Sequence, residues 1–332
     1  MRALIVGLGS IGRRHLKNLK ALVPSAQVGV LRLHSRQKDI GDMAALADAV
    51  FTDEQEAVDF HPDMVIIANP APSHMAIALT FARAGAHIFC EKPLSVTLTD
   101  IDPVIDECRR KNLVFMTGYV MRFSKSLKQL KQCIEDGLIG KVLYMRAEVG
   151  KSLDSWRPGQ DYRKSISASR ELGGGVLFEL SHELDYMRWL GGEVKMLQAW
   201  VGKVSDLQMD TEDLSEVQMT LDSGVLASVH VDMIDHASHR GCRVVGSKGT
   251  LVWNFDGKSH HVRSFTVQEG AWRNILSVVH EPDEMYLEQF RHFLQCINEQ
   301  RRPCVDGEAG RRVVEIILAA KQSAEQGQRI SL

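Results

Sequence analysis

Long apolar runs are missing from this 332-residue sequence, and so is any strong excess of one charge. No apolar run approaches the length of about 20 residues that a helix needs to cross a bilayer, so no membrane partner is expected. Lysine and arginine number 40 against 42 acidic residues, for a net charge of −2, which argues against a nucleic-acid partner. The first residues show no basic stretch with an apolar core and cleavage site, so we expect a cytoplasmic protein.

Metal-ligating and disulfide patterns are also missing. The six cysteines show no CxxC or CxxH spacing and are interpreted as reduced thiols: Cys90, Cys108, Cys133, Cys242, Cys296 and Cys304. A polar cluster follows one predicted strand and comprises His230, Asp232, Asp235, His236 and His239. A metal site is conceivable there, but the spacing matches no ligand pattern, and solvent exposure at a strand end is the favoured interpretation. No metal is predicted.

What the sequence does have is the composition and length of a two-domain globular protein. Apolar residues make up 44 % and charged residues 25 %, which argues against disorder and against a fibrous protein. A chain of this length is too long for one ordinary core. We predict one domain over residues 1–120 and a second over 121–332, with a linker near 118–124.

Strands and helices alternate through the first domain. Residues 3–6, 27–33 and 64–69 are predicted strands, and 44–49 and 74–85 are predicted helices. Further strands near "HIFCEKP" and "LVFMTGY" flank a helix over about 98–111. This alternation predicts a doubly wound parallel sheet.

Three glycines stand between the first strand and the first helix, in "GLGSIGRRHLKNLKAL". Gly7, Gly9 and Gly12 fit the pattern G-x-G-x-x-G, in which the glycines allow a tight turn, a close pyrophosphate and close strand–helix packing. A turn that is merely glycine-rich is the alternative, but a strand before and an amphipathic helix after favour a dinucleotide site. Ser10 and Ile11 complete the predicted phosphate-binding loop.

The end of the second strand bears on the choice of cofactor. NAD enzymes carry an acidic residue there to bind the ribose hydroxyls, whereas this strand is followed by Ser35 and Arg36. A guanidinium suits a 2′-phosphate, because it donates two parallel hydrogen bonds. We predict NADP or NAD, with NADP favoured, although Arg36 could instead be solvated or stack on adenine.

The segment "FCEKPL" places a lysine at the end of a predicted strand. Glu91, Lys92 and Pro93 follow an apolar strand, at the edge where open parallel sheets bind ligands. Simple exposure is the ordinary fate of a lysine. The E-K-P motif alone does not decide between an exposed lysine and a functional one, and further motifs of the sequence are needed.

Three segments together resemble the glucose-fructose oxidoreductase, inositol dehydrogenase and MocA family: "GLGSIGRRH", "CEKP" and "GGGVLFELSHELDYMRWLGG". The resemblance implies a Rossmann domain followed by an α/β domain with a large open sheet that often forms oligomer contacts. It implies NAD(P)-dependent oxidation or reduction of a sugar, cyclitol or related compound. It also implies that Lys92 acts at the reacting carbonyl or alcohol, and the predicted cofactor-binding set further includes Asn69, His74, Glu91 and Lys92.

The third segment carries the second part of the predicted catalytic site. Helical spacing would place Glu179, His182, Glu183 and Tyr186 on one face, and taken alone this is a solvated face with a satisfied histidine. The family places a catalytic histidine here, which corresponds to His182, and His182 and Asp185 match its H-x-x-D. The family's acidic residue usually lies four positions before the histidine, whereas Glu179 lies three before it. We predict that Lys92, His182, Glu179 and Asp185 are catalytic.

Period-two alternation dominates the second domain and predicts a large open, mostly antiparallel sheet, so the overall fold class is α/β. The predicted substrate-binding residues are Lys92, Tyr119, Arg122, Trp156, Arg163 and His182. Two strands, "GVLASV" and "TLVWNF", carry apolar residues on both faces in places, so a homodimer or homotetramer through the sheet is expected.

Two functions remain open. One is a hydride-transferring dehydrogenase or reductase acting on a sugar, cyclitol, sugar acid or nucleotide sugar. The other is a non-catalytic NAD(P)-binding sensor or regulator on the same scaffold. Presence of both Lys92 and His182 favours the enzyme, because a sensor has no need of a proton-handling pair.

Overall fold

The structure is a computed structural model that describes residues 1–33, 40–156 and 158–332. Within these ranges the chain divides into two compact units. The first holds Met1–Tyr119 and Asp283–Val314, and the second holds Val120–Pro282 and Glu315–Leu332. The two domain ranges divided at residue 120 stay a prediction. None of the helices in the described ranges combines the length and apolar character that crossing a bilayer requires.

A parallel sheet forms the centre of the first unit. Its strands are β1 (Arg2–Val6), β2 (Gln27–Leu31), β3 (Ala49–Phe51), β4 (Met64–Ile67), β5 (His87–Cys90) and β6 (Phe115–Thr117). They pair in the order β3-β2-β1-β4-β5-β6. The helices between them are α1 (Ser10–Leu22), α2 (Glu54–Asp59), α3 (His74–Arg83) and α4 (Ile101–Arg110). The doubly wound sheet is thereby confirmed. Its strand order reverses between β1 and β4, where such sheets bind ligands.

The helix predicted over residues 44–49 is wrong. The structure has a 3₁₀ helix at Gly41–Leu46, and β3 starts after two intervening residues. Asp48 explains the change, because its carboxylate accepts hydrogen bonds from the Val28 backbone N–H (2.7 Å) and from Lys20 (3.1 Å). These bonds hold the chain beside β2 and start a parallel strand pair where a longer helix would have continued.

A second, nine-stranded sheet forms the other unit. Its helices are α5 (Lys125–Glu135), α6 (Val176–Glu179) and α7 (His182–Gly191). The strands are β7 (Val142–Gly150), β8 (Val194–Gly202), β9 (Leu214–Leu221), β10 (Leu226–Asp232), β11 (His239–Gly246), β12 (Gly249–Phe255), β13 (Ser259–Thr266) and β14 (Trp272–Val279). The chain ends with α8 (Glu284–Glu299), α9 (Gly307–Gln326) and β15 (Ile330–Ser331), and α8 belongs to the first unit.

The strand order of this sheet is β14-β13-β12-β11-β7-β10-β9-β8-β15. Every neighbouring pair is antiparallel except β7 and β10, which run parallel. The predicted mostly antiparallel sheet is confirmed.

One face of this sheet carries the core of the second unit. Trp253 on β12 is fully buried and donates its indole N–H to Ser126 of α5 at 2.8 Å. Tyr186 of α7 packs edge-on against the same indole at 6.0 Å between ring centroids. Helices α5 and α7 therefore cover one face, and alternate residues of the strands point to the opposite face.

Candidate active site

The glycine loop between β1 and α1 has the geometry of a phosphate cradle. Gly7 lies in the left-handed region at φ +88°, and its N–H donates to Leu31. A Cβ at Gly12 would collide with the carbonyl oxygen of Gly7, whereas a Cβ at Gly9 would meet nothing within 4 Å. The first and third glycines thus serve the fold, and the second leaves open space at the start of a 13-residue helix. Within the described residues no side chain caps that helix start, so its N–H groups suit the pyrophosphate of a dinucleotide.

Asn69 follows β4 at the carboxyl edge of the sheet, directly beside Gly7. A Cβ on Gly7 would lie 3.0 Å from the Asn69 backbone. Among the described residues, neither the side-chain nitrogen nor the side-chain oxygen of Asn69 has a hydrogen-bond partner, although both atoms are buried. Buried amide groups normally find partners, so this one fits a ligand such as a dinucleotide at the same edge.

His74, the first residue of α3, is buried with both ring nitrogens against backbone carbonyls. Nδ1 lies 2.9 Å from the Pro93 oxygen and Nε2 lies 2.7 Å from the Asn69 oxygen. A neutral ring donates to one of these carbonyls, and a protonated ring donates to both. Burial lowers the pKa of His74, while the two carbonyls and the charge of Glu91 act in the opposite direction. The ring joins the end of β4 to the segment after Lys92.

Lys92 stands at the carboxyl end of β5, between the buried Glu91 and Pro93. The Glu91 carboxylate accepts a hydrogen bond from His15 Nε2 at 2.7 Å and one from the Lys92 backbone N–H at 3.2 Å. The Lys92–Pro93 peptide bond is cis. The lysine therefore extends from a strand end on the same sheet edge as the glycine loop.

The helix predicted through residues 179, 182, 183 and 186 is broken, which corrects the expected shared face. Helix α6 ends at Glu179 and α7 begins at His182, with Leu180 at φ −103° and ψ 31° between them. Ser181 is fully buried and its hydroxyl donates to the Phe178 carbonyl at 3.1 Å. This side-chain bond takes the place of a continuing helical bond. Glu179 and His182 consequently lie on two different short helices.

The residues after His182 are buried, not solvated. Glu183 is fully buried and accepts a hydrogen bond from Arg240 at 2.8 Å. Burial raises the pKa of the Tyr186 hydroxyl well above its usual range, so this group stays protonated at neutral pH. The structure contradicts the solvated-face alternative at both positions.

Two residues from the predicted site, Arg122 and Asp185, form a bidentate ion pair. The guanidinium donates to the two Asp185 oxygens at 2.8 and 2.7 Å; the Asp185 side chain is fully buried and the Arg122 side chain is 10 % exposed. Arg122 also lies 5.9 Å from the centroid of the Trp189 ring. This pair attaches the 3₁₀ helix Val120–Phe123 to the first turn of α7, one turn from His182.

The remaining predicted substrate residues lie in different surroundings. Trp156 lines a cavity of about 370 Å³ in the second unit, together with Leu153, Gln160, Asp161, Tyr162, Lys164, Ser165 and Ser167. Arg163 is exposed and bonds both oxygens of Asp161 at 2.7 and 2.9 Å. Tyr119 is fully buried in the first unit. Ser35 and Arg36, the basis of the predicted cofactor choice, lie outside the described residues.

The polar cluster at the end of β10 is a hydrogen-bonded network. His230 contacts Glu216 at 2.7 Å and Asp232 at 3.0 Å. Asp232 is buried and accepts the backbone N–H groups of Ile234 and Asp235, so it closes the turn after β10. Simple solvent exposure is therefore wrong for Asp232. Within the described ranges no group of three or more His, Cys, Asp or Glu side chains could hold a metal ion.

Sequence reasoning missed His15 and the close approach of Gly118. His15 is a polar residue on the buried side of α1, next to Leu16. A histidine at such a position is a sequence signal that could have indicated a buried hydrogen bond. A Cβ at Gly118 would lie 2.9 Å from a Glu91 carboxylate oxygen. Together these residues enclose the carboxylate that precedes Lys92.

Comparisons with known proteins agree with this geometry. Residues 1–119 match the family model described as oxidoreductase family, NAD-binding Rossmann fold. Residues 131–332 match the model of the same family's C-terminal alpha/beta domain. The chain belongs to this oxidoreductase family, Gfo/Idh/MocA. The resemblance drawn from the motifs is thereby confirmed, and so is the prediction of an NAD-dependent dehydrogenase at the level of the family.

Individual relatives are similar over their whole length. Myo-inositol 2-dehydrogenase of Thermotoga maritima is 27 % identical, over 100 % of this chain and 98 % of the relative. The scyllo-inositol 2-dehydrogenase (NAD⁺) of Bacillus subtilis is 24 % identical, over 100 % and 96 %. The crystal structure of the WlbA dehydrogenase from Bordetella pertussis, in complex with NADH and UDP-GlcNAcA, superposes with a TM-score of 0.84 at 21 % identity, over 100 % and 98 % of the two chains. This last likeness concerns the fold.

Proposed function

We propose that this enzyme transfers a hydride between a nicotinamide dinucleotide and a secondary alcohol or ketone of a polyhydroxylated substrate, a sugar, cyclitol, sugar acid or nucleotide sugar. The observation that carries the proposal is the position of Lys92, at the carboxyl end of β5 on the sheet edge that also bears the glycine loop and Asn69. The names of the inositol dehydrogenases among its relatives support the substrate class.

In this proposal the glycine loop Gly7–Gly12 and the N–H groups at the start of α1 hold the dinucleotide pyrophosphate, and Asn69 offers its buried amide. The nicotinamide, when bound, accepts or donates the hydride. The protein thus binds the cofactor through backbone groups and through the side-chain amide of Asn69. Cofactor affinity is therefore separable from the side chains that handle the substrate oxygen.

Lys92 and His182 act on the reacting oxygen. Oxidation of an alcohol leaves an oxygen proton to be removed, and a neutral imidazole is the side chain whose unperturbed pKa suits that task. The Lys92 ammonium stabilises the negative charge that develops on the same oxygen. In the direction of reduction the protonated His182 returns the proton to the oxygen, while the Lys92 ammonium stabilises the negative charge on that oxygen.

Glu179 and Asp185 have supporting roles in the same proposal. Glu179 ends the short helix before His182, where a carboxylate can orient the imidazole and stabilise its protonated form. Asp185 has both oxygens bonded to Arg122, so we assign it to holding the first turn of α7. This contribution positions His182.

The finer choice of cofactor is NADP over NAD, which rests on Ser35 and Arg36 in place of an acidic residue. We also propose that the enzyme works in the cytoplasm as a homodimer or homotetramer.

A substrate screen tests the proposed function. Absorbance at the reduced nicotinamide band is followed with each of NAD⁺ and NADP⁺ against inositols, sugars, sugar acids and nucleotide sugars, and with the reduced cofactors against the matching ketones. Turnover with a polyhydroxylated substrate that Lys92→Ala abolishes supports the proposal. Cofactor binding without any turnover across the set favours the sensor function.

A further inference from the structure

The carboxylate of Glu91 lies in an enclosed polar site beneath the predicted reactive lysine. Glu91 is 8 % exposed. One of its carboxylate oxygens contacts His15 Nε2 at 2.7 Å, and the other accepts a hydrogen bond from the Lys92 backbone N–H at 3.2 Å. Gly118 closes the remaining side, since a Cβ there would lie 2.9 Å from the carboxylate. A buried carboxylate is costly unless it is hydrogen-bonded, so these contacts hold its position tightly.

His15 comes from the second turn of α1, the helix that starts at the glycine loop. Its ring is buried, edge-on to Phe89 of β5 at 5.1 Å and to Tyr286 of α8 at 6.3 Å between centroids. In the described part of the chain its Nδ1 has no hydrogen-bond partner. The ring therefore presents Nε2 to Glu91, and the two neighbouring rings pack against it in that orientation.

A second buried histidine acts on the other side of Lys92. His74 contacts the carbonyl of Pro93, which directly follows Lys92, and the carbonyl of Asn69 at the end of β4. The backbone is thus held one residue before Lys92 through a carboxylate and one residue after it through a carbonyl. Neither histidine ring is exposed.

We propose that His15 and His74 are positioning residues that together fix the backbone of Lys92, His15 through the Glu91 carboxylate and His74 through the Pro93 carbonyl. A lysine side chain has four rotatable carbon–carbon bonds, so its ammonium can be placed reproducibly only when its Cα is held. A misplacement of about 1 Å at a reacting group can cost about a hundredfold in rate. The inference rests on the proposed function only in taking Lys92 as the reactive lysine.

The test compares substitutions of similar size at His15. Gln keeps a side-chain N–H near the position of Nε2, whereas Leu fills the space without one. We expect His15→Leu to lower kcat at least tenfold while the KM for the cofactor stays within about threefold, and His15→Gln to retain kcat within about threefold. His74→Leu should likewise lower kcat at least tenfold. If His15→Leu does not fold, His15→Asn, whose side chain is too short to reach Glu91, provides the same comparison.

A readout independent of turnover separates this inference from the proposed function. Amide hydrogen exchange of the full-length chain, with and without NADH, is measured for a peptide spanning residues 90–94. Faster exchange there in His15→Leu and His74→Leu, but not in His15→Gln, supports positioning even if Lys92→Ala proves fully active and the proposed function fails. The positioning inference is overturned if both Leu variants keep wild-type kcat and wild-type exchange at 90–94, whatever Lys92→Ala shows. A rise in cofactor KM at unchanged kcat also overturns it, because the histidines then serve the cofactor and not the lysine.

Discussion

Lys92 and His182 are positioned by different elements of the chain. In our proposal, Lys92 acts from a strand end in the first unit, and His182 acts from the start of α7 in the second. Residues that act on one transition state fail as a unit. Their loss is therefore the sharpest probe of the proposed reaction.

We expect Lys92→Ala and His182→Ala each to lower kcat by about a hundredfold or more, the scale for losing a positioned acid–base or charge-stabilising group. The double variant should lose less than the product of the two single effects. Affinity for the cofactor should survive, because the glycine loop holds the pyrophosphate. Steady-state kinetics with the substrate found by screening measures this, with the exposed Lys258→Ala as the control. Near-normal turnover in either single variant removes that residue from the mechanism.

Arg36 decides the choice of cofactor in our proposal. Calorimetric titration should show tighter binding of NADPH than of NADH, and Arg36→Ala should remove about 1–3 kcal/mol of that preference, as expected for a charge-assisted contact. Arg36→Lys serves as the matched control, since it keeps the charge but not the paired hydrogen bonds. Equal affinity for the two cofactors in the unaltered protein contradicts the prediction.

His260 links stability to pH. Burial lowers the pKa of His260 to about 4, and the nearby His280 and Arg240 act in the same direction. The folded state therefore resists a proton that the unfolded chain binds near pH 6.5. The resulting stability is fully present above pH 6.5 and is lost progressively as the pH falls from about 6.5 to about 4.

The effect of His260 should be visible in urea unfolding between pH 7 and pH 4.5. The free energy of unfolding should fall toward acid, with His260 contributing about 1–2 kcal/mol after allowance for solvent screening of a partly hydrated ring. His260→Phe, which keeps a ring against Phe255, should flatten that decline. Substitution of the exposed His236 by Gln should not change it. An unchanged slope in His260→Phe would contradict the assignment.

Among the elements, those with strong periodicity were predictable and those set by single polar side chains were not. The apolar strand β4 and the helix α3 follow directly from their patterns. The 3₁₀ helix before β3 depends on hydrogen bonds of Asp48 to Val28 and Lys20, which lie 20 and 28 positions earlier in the sequence. A local sequence pattern does not contain such contacts. At the break between α6 and α7 the Ser181 hydroxyl bonds to the Phe178 carbonyl. The helical spacing of the neighbouring residues did not indicate this break.

The same limit applies to the site. Glycine spacing and strand ends predicted the loop, Asn69 and Lys92 at one sheet edge, because the carboxyl ends of parallel strands share an edge. The pairing of Arg122 with Asp185 joins residues 63 positions apart. This ion pair could not be predicted from the sequence, because only the folded chain brings the two residues together.

Loss of one partner of the Arg122–Asp185 pair should strongly destabilise the protein. Removing one partner of a buried ion pair leaves an uncompensated charge, which costs about 3–5 kcal/mol. We expect Asp185→Asn to lower the free energy of unfolding by about 3 kcal/mol or more. The exposed Asp222→Asn serves as the control. A variant of normal stability that has lost turnover would instead place Asp185 in the chemistry.

At the scale of the molecule, the open face of the nine-stranded sheet is the surface on which assembly should depend. Residues paired across successive strands share a face, and one such row runs through Leu226, Tyr144, Val245, Thr250, Phe265 and Trp272. Leu226 is 56 % exposed, Tyr144 36 % and Trp272 46 %. Exposed apolar rows of this kind mark interaction sites, while the opposite face is covered by α5 and α7.

We therefore expect a symmetric dimer or tetramer in which this face meets its own copy. A stable interface buries about 800 Å² per partner, which a row crossing six strands and its neighbours can supply. Light scattering should report the oligomer at micromolar concentration, and the double variant Leu226→Lys, Tyr144→Lys should be monomeric because four like charges then face each other across the two-fold axis. Val267→Lys, at an exposed position beyond the end of β13, should leave assembly unchanged. An unaltered protein that is monomeric at this concentration, or a double variant that still assembles, contradicts the assignment of this face.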